Sequence, residues 1–139
     1  MKRISSQIKL LAIFTIISSF FFSCKEDKVK TSGDVDAPII TVFQPDANDI
    51  FGVGDTFYLS AHIEDISQMQ DFTVNLIYSA DTVLLWPEIP GILGNLTSYD
   101  LDDWVINTVA VNENAIIRFE GSDKHSNVAV VDVAVQLEL

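Results

Sequence analysis

The chain has one cysteine among its 139 residues, two histidines, and eight Lys and Arg against twenty Asp and Glu. A single thiol allows no intrachain disulfide, so any fold must rest on its apolar core. His62 and His125 have no metal-ligand spacing around them. No Gly-x-Ser-x-Gly, His-Glu-x-x-His, P-loop or dinucleotide fingerprint occurs. With no nucleophile and base to pair, the chain is not expected to be an enzyme, and no cofactor is expected. The scarcity of cations excludes nucleic acid as a partner, because phosphate contacts need Lys and Arg. No amphipathic helical repeat survives beyond residue 30, which excludes a helical bundle.

What is present begins with an address. Lys2, Arg3 and Lys9 lead into residues 10–22, an uncharged stretch of 13 residues broken only by Thr15, Ser18 and Ser19. A permanent membrane helix needs roughly 20 apolar residues, so this run has the length of a signal-peptide core. It closes on Ser23 and Cys24. Phe21-Phe22-Ser23-Cys24 resembles a bacterial lipobox, in which cleavage falls just before a diacylated cysteine. Ser23 is the expected small residue, whereas Phe21 and Phe22 replace the usual leucine and small residue. Relaxed lipoboxes of this kind resemble those of Bacteroidota-type surface lipoproteins. Lys25-Glu26-Asp27 is similar to the signal that sends such proteins to the outer face of the outer membrane. The resemblance implies lipidation at Cys24, an export signal at Lys25, Glu26 and Asp27, and a surface-exposed, lipid-anchored protein of the outer membrane. A periplasm-facing domain is the alternative. Two or more acyl chains anchor stably where one is marginal, each buried methylene contributing about 0.8 kcal/mol.

The expected organisation is a signal peptide over 1–23, a lipidated cysteine and tether over 24–37, and one domain over 38–139. Removing residues 1–23 leaves 116 residues with five cations against twenty carboxylates, a net charge of −15 compared with −12 for the full chain. That charge suits a soluble domain held off an anionic bilayer, or one that binds cations. About 100 residues without a crosslink can bury a sufficient core.

Within the domain the hydrophobic period is two. Phe57, Leu59, Ala61 and Ile63 alternate with Tyr58, Ser60, His62 and Glu64, which predicts a half-buried antiparallel strand over 56–64. Similar patterns predict strands over 39–44, 72–78, 82–86, 115–121 and 128–139, the last with Val131, Val133, Val135 and Leu137 inward. Between 96 and 111 the alternation is broken by Asp100, Asp102 and Asp103, and the strand is placed at about 104–109. Turn signals recur every 8–12 residues. This predicts an all-β fold, an antiparallel sandwich of about seven strands. The chain lacks the disulfide and central tryptophan of antibody domains. It more closely resembles the immunoglobulin-like or fibronectin-III-like modules of bacterial surface lipoproteins, and two corners carry that resemblance. Asp65-Ile66-Ser67-Gln68-Met69 is similar to their Asp-x-Ser corner between the second and third strands, with Gln68 in place of glycine. Asp123-Lys124-His125-Ser126-Asn127 is similar to their turn before the last strand, with Ser126 in place of glycine.

Two sets of residues are candidates for a site. In a sandwich of this kind the loops around residues 65 and 125 share one end. Asp65, Ser67, Asp123 and Asn127 would then converge there as the hard oxygen ligands that calcium prefers. The competing reading gives those residues to turn geometry. Trp86, Tyr99 and Trp104 flank a loop rich in proline and glycine over 87–95. Exposed, they would stack on a glycan or anchor an envelope protein; folded back, they would cap the core. The expected function is a membrane-anchored cell-surface lipoprotein with a non-catalytic Ig-like binding or adhesion module. The alternative is a structural or assembly subunit of an outer-membrane complex with no ligand of its own.

Overall fold

The computed structural model describes residues 33–86, 93, 94 and 96–139. The expected signal peptide, Cys24, Lys25, Glu26 and Asp27 lie outside the described residues, as do positions 87–92 and 95. Ser32–Leu139 forms one compact unit. Its elements are β1 (Ile39–Gln44), β2 (Ile50–Gly52), β3 (Thr56–Glu64), β4 (Met69–Tyr78), β5 (Asp81–Trp86), β6 (Ser98–Ile106), β7 (Glu113–Asp123) and β8 (Val128–Glu138). No helix occurs among the described residues.

The strands form two sheets, in the orders β1-β3-β6 and β2-β8-β7-β4-β5. Every pairing is antiparallel except β2 with β8, which is parallel. This is the immunoglobulin-type arrangement. The consecutive long strands β7 and β8 pair with each other and β7 with β4, while β3 crosses to the opposite sheet between β1 and β6. The alternating residues explain it. Phe57, Leu59, Ala61 and Ile63 of β3 are buried, and so are Phe72, Val74 and Leu76 of β4 and Ala115, Ile117 and Phe119 of β7. Each sheet thus has one apolar face, and the two faces meet. Fully burying a side chain such as Leu or Phe stabilises by about 1.5–3 kcal/mol.

The expected all-β sandwich is what the structure shows, with eight strands where about seven were counted, the short Ile50–Gly52 pairing with Gln136–Glu138 of β8. One expectation is corrected. The strand placed at 104–109 is in fact Ser98–Ile106, aligned with β3 along its whole length from Glu64↔Ser98 to Thr56↔Ile106. Its aspartates interrupt the pattern because β6 is the edge of its sheet. Asp100 and Asp102 point outward to solvent, while Asp103 takes an inward register position yet stays exposed. Charges on an edge strand, including one in an inward position, discourage edge-to-edge association.

Asn107, just past β6, is one of two buried polar residues among the described residues. Its backbone bonds Gly54 N–H and Asp55 C=O, at 2.9 and 2.7 Å. Its Nδ2 donates to the carbonyls of Phe51 and Gly52, at 3.3 and 3.0 Å, and its Oδ1 accepts from Val109 N–H at 2.9 Å. One side chain therefore fixes the β2–β3 corner, where Gly54 supplies the φ of 90° that other residues rarely adopt.

Candidate functional site

The end of the sandwich at which the chain enters the domain holds a closed hydrogen-bond cluster. Asp65 and Ser67 lie in the β3–β4 corner. Asp123 is the last residue of β7 and Asn127 immediately precedes β8. The structure brings these residues together. Ser67 Oγ lies 2.6 Å from Asp65 Oδ1 and 3.1 Å from Asp123 Oδ2, so a single hydroxyl bridges two carboxylates. Asp123 continues the inward period of β7 after Gly121 and has 0 % exposure. Its Oδ1 accepts the N–H groups of His125 and Asn127, both at 2.8 Å, and its Oδ2 accepts Asn127 Nδ2 at 2.9 Å. Asn127 Nδ2 also donates to the Asp34 carbonyl at 2.9 Å, tying down the incoming chain. Burial opposes the charge of Asp123, but the hydrogen bonds from Asn127, Ser67 and His125 outweigh it and hold the carboxyl below its usual 3.8.

One ligand atom each from Asp34, Asp123 and His125 lies within 4.8 Å of the others, the spacing of a cation site. The carboxylate oxygens of Asp123 are nevertheless already engaged by N–H and O–H donors, and Asn127 turns its amide nitrogen toward them rather than its oxygen. The arrangement as built latches three segments together. The two positions where the chain departs from the expected glycine behave differently. Ser126 takes a φ of 68°, the conformation for which glycine is suited. Gln68 has no left-handed backbone; its carbonyl accepts Lys124 N–H at 2.9 Å and its side-chain oxygen accepts Lys124 Nζ.

The aromatic candidates separate. Trp86 is buried, with its ring 5.6 Å from that of Phe72 and 5.5 Å from that of Tyr99. Because Tyr99 belongs to β6 and Trp86 to β5, the pair joins the edges of the two sheets, and neither ring stands free on the surface. Burial pushes the Tyr99 phenol up, with help from the nearby Asp103. Leu93, which lies between Trp86 and Tyr99 in sequence, is also buried. Trp104 is different. It points outward from β6 and is 58 % exposed, directly opposite Tyr58 of β3, which is 59 % exposed. In the next row Ile106, also exposed, faces Thr56. The sequence pattern had assigned Tyr58 to the polar side of its strand, and the register with Trp104 is what reveals it as half of an aromatic pair.

Beyond the aromatic rows the same outward face turns acidic. Ser60 is opposite Asp102, His62 opposite Asp100, and Glu64 opposite Ser98. His62 Nδ1 lies 2.6 Å from Asp100 Oδ1, and its Nε2 lies 3.7 Å from Glu64 Oε2. Its two ring nitrogens are thus turned to carboxylates rather than to a nucleophile. The Asp100 hydrogen bond raises the imidazole above its usual 6.5, against a smaller opposing effect of burial. An open depression of about 770 Å³ lies past this acidic stretch, lined by Asp36, Glu64, Asp65 and Thr97 among others.

No family model matches the chain, and no curated protein matches it. Among solved structures it is similar to the fibronectin(III)-like modules of CbhA from Clostridium thermocellum. That match has 14% identity and a TM-score of 0.46 over 72% of this chain and 96% of that one. It is also similar to part of a β-glucosidase from Listeria innocua solved in complex with glucose. There the identity is 11% and the TM-score 0.45, over 82% of this chain and only 20% of that enzyme. At these values neither likeness extends to function.

Proposed function

We propose that the protein is a lipid-anchored surface protein whose Ig-like sandwich is a non-catalytic binding or adhesion module. Cys24 and the following Lys25-Glu26-Asp27 support the anchor and its outer-membrane address. The observation that carries the binding role is the register pair Tyr58–Trp104, two large aromatic side chains side by side on the outward face of β3 and β6, both more than half exposed. Exposed aromatic anchors are the residues on which binding energy concentrates. The burial of Trp86 favours the second reading, a structural or assembly subunit, because it removes one expected contact residue from the surface.

Cells expressing wild type, Tyr58→Ala, Trp104→Ala and Cys24→Ala provide the test. Protease shaving of intact cells is expected to release the domain from the wild type and from both aromatic variants. Palmitate label is expected in all but Cys24→Ala. Adhesion to immobilised glycans and envelope proteins is expected to fall several-fold in the aromatic variants alone. Label retained by Cys24→Ala refutes the anchor. Protection of the domain until lysis moves it to the periplasmic side. Adhesion unchanged by Trp104→Ala gives the function to the structural reading.

A further inference from the structure

Beyond Lys30 the sequence contains only two Lys or Arg, Arg118 and Lys124. Neither lies on a strand of the sheet that carries Tyr58 and Trp104, and each has a partner elsewhere. Arg118, on β7, holds Asp132 of β8 with two bonds of 2.8 Å, and Lys124, in the β7–β8 turn, is bonded to Gln68. The sheet β1-β3-β6 has no Lys or Arg at all. Its outward face carries Asp100, Asp102 and Glu64 in the rows that follow the Tyr58–Trp104 pair. Asp102 stands two residues from Trp104 on the same face of β6, hence roughly 7 Å away.

Building on the binding face proposed above, we infer that its occupant is a cationic segment of a partner protein, with a Lys or Arg head seated on Tyr58 and Trp104 and further cations along Asp102, Asp100 and Glu64. Three observations converge on that chemistry. Aromatic faces attract a guanidinium or ammonium group through the ring quadrupole, whose face is electron-rich. A carboxylate row beside the rings completes the complementarity and steers approach. No Lys or Arg on the sheet competes for the rings or for Asp102, and His62 takes only one oxygen of Asp100 and lies 3.7 Å from one oxygen of Glu64. The aromatic rows also lie at the far end of the sheet from the chain's entry. Thr56 and Ile106 mark that far end, and Ile39 opposite Glu64 marks the near one. A partner reaching the rings therefore meets the end of the domain remote from residue 33.

The test is a titration of the full chain, in non-ionic detergent at physiological salt, with capped hexa-arginine. Capped hexaglutamate and cellohexaose serve as comparison ligands. Binding is read by calorimetry and by the fluorescence of Trp104 in a Trp86→Phe background. Hexa-arginine is expected to bind and to change Trp104 emission. Trp104→Ala, which changes no charge, should weaken binding about three- to thirtyfold. Asp102→Asn should weaken it about twofold to threefold through loss of one carboxylate near the rings. Glu120→Gln makes the same change of charge on β7 in the other sheet. It should have little effect, because it lies beyond the screening length of about 8 Å. If Trp104→Ala weakens binding no more than Glu120→Gln does, the attraction is diffuse and the inference is wrong. If cellohexaose binds through Trp104 and hexa-arginine does not, the face is a binding site for sugar, so the binding role stands and the cationic partner falls. If nothing binds in a Trp104-dependent way, both are refuted.

Discussion

Replacing Gly121 by alanine should destabilise the domain, and the structure says through which atom. Gly121 follows Ala115, Ile117 and Phe119 in the inward register of β7. A Cβ added there would lie 2.3 Å from Ile63 Cδ1, with Ile40 Cδ1 and Phe72 Cδ2 both at 3.5 Å. Carbon atoms in contact prefer about 3.5–4.0 Å, so two neighbours tolerate the methyl group and Ile63 does not. Ile63 is fully buried and has little room to turn. Overpacking of this kind costs about 1–3 kcal/mol. Reduced freedom of the unfolded chain returns about 0.4–1 kcal/mol. The expected net loss for Gly121→Ala is therefore up to about 2.6 kcal/mol, with a middle value of about 1.3 kcal/mol. Ile63→Val removes the offending Cδ1 and alone should cost about 0.5–1.5 kcal/mol. Together the two changes should not add, because the new methyl occupies the space that Cδ1 left. The double variant should lose less than about 1 kcal/mol, an interaction energy of roughly 1–2 kcal/mol in its favour. Urea unfolding of the four proteins measures this directly, provided the denaturant slope stays constant. Additivity to within about 0.5 kcal/mol would refute the proposed contact, and a stabilising Gly121→Ala would refute the packing of β3 against β7.

Ser126→Gly should stabilise, because the left-handed φ of 68° costs a non-glycine residue about 1–2 kcal/mol, only partly offset by glycine's freedom in the unfolded chain; the melting temperature should rise by a few degrees, and a fall would show that the Ser126 side chain contributes something the backbone argument omits. His62 is raised above 6.5 by Asp100, so its contribution is fully present below pH 6.5 and is lost as pH rises through the folded value. His62→Gln should flatten the stability profile in that window, and a wild-type profile that is already flat there would contradict the Asp100 interaction. Asp123 behaves in the opposite sense: held below 3.8, it contributes above that pH and the contribution fades as acid titrates the folded carboxyl, so Asp123→Asn should reduce the acid dependence seen below pH 4. Because Asp123 is already filled by protein donors, millimolar calcium should leave the melting curve unchanged. A rise reversed by EDTA would instead show that an ion displaces those donors and would establish calcium at Asp65, Ser67, Asp123 and Asn127.

The fold was legible wherever a strand has one buried and one wet face. β3, β7 and β8 follow their alternation residue by residue, and β4 does so from Phe72 onward, past the irregularity between Met69 and Asp71, because burial on one side fixes the register. β2 was not legible. Ile50–Gly52 is three residues between turn signals, and its existence depends on a parallel pairing with β8, some 86 positions away, that leaves no local trace. β6 was misplaced because an edge strand tolerates acids that a central one would not. The same logic explains the sites. The turn before the last strand claims Asp123 in sequence, although the period of two running from Ala115 through Gly121 reaches it and points it inward. Trp86 and Trp104 look alike in sequence. One lies beneath a sheet edge and the other on an outward face, a difference set by cross-sheet packing alone.

The outward faces of the two sheets differ in a way that folding does not require. On the five-stranded side, Asp132 is matched by Arg118 with paired bonds directly across β7 and β8, so charge there is partly neutralised within the domain. On the three-stranded side, carboxylates stand beside two exposed aromatic rings with no Lys or Arg among the strands. Removing Tyr58 and Trp104 from that surface would forfeit little of the core, which is built from the opposite face of the same strands. Two large rings held in wet positions, in a domain already rich in charge for solubility, are explained by something that covers them. Conversely, the core pair Trp86–Tyr99 is explained by the fold alone. The line between what the sandwich needs and what it presents therefore runs through β6, from the inward Tyr99 to the outward Trp104.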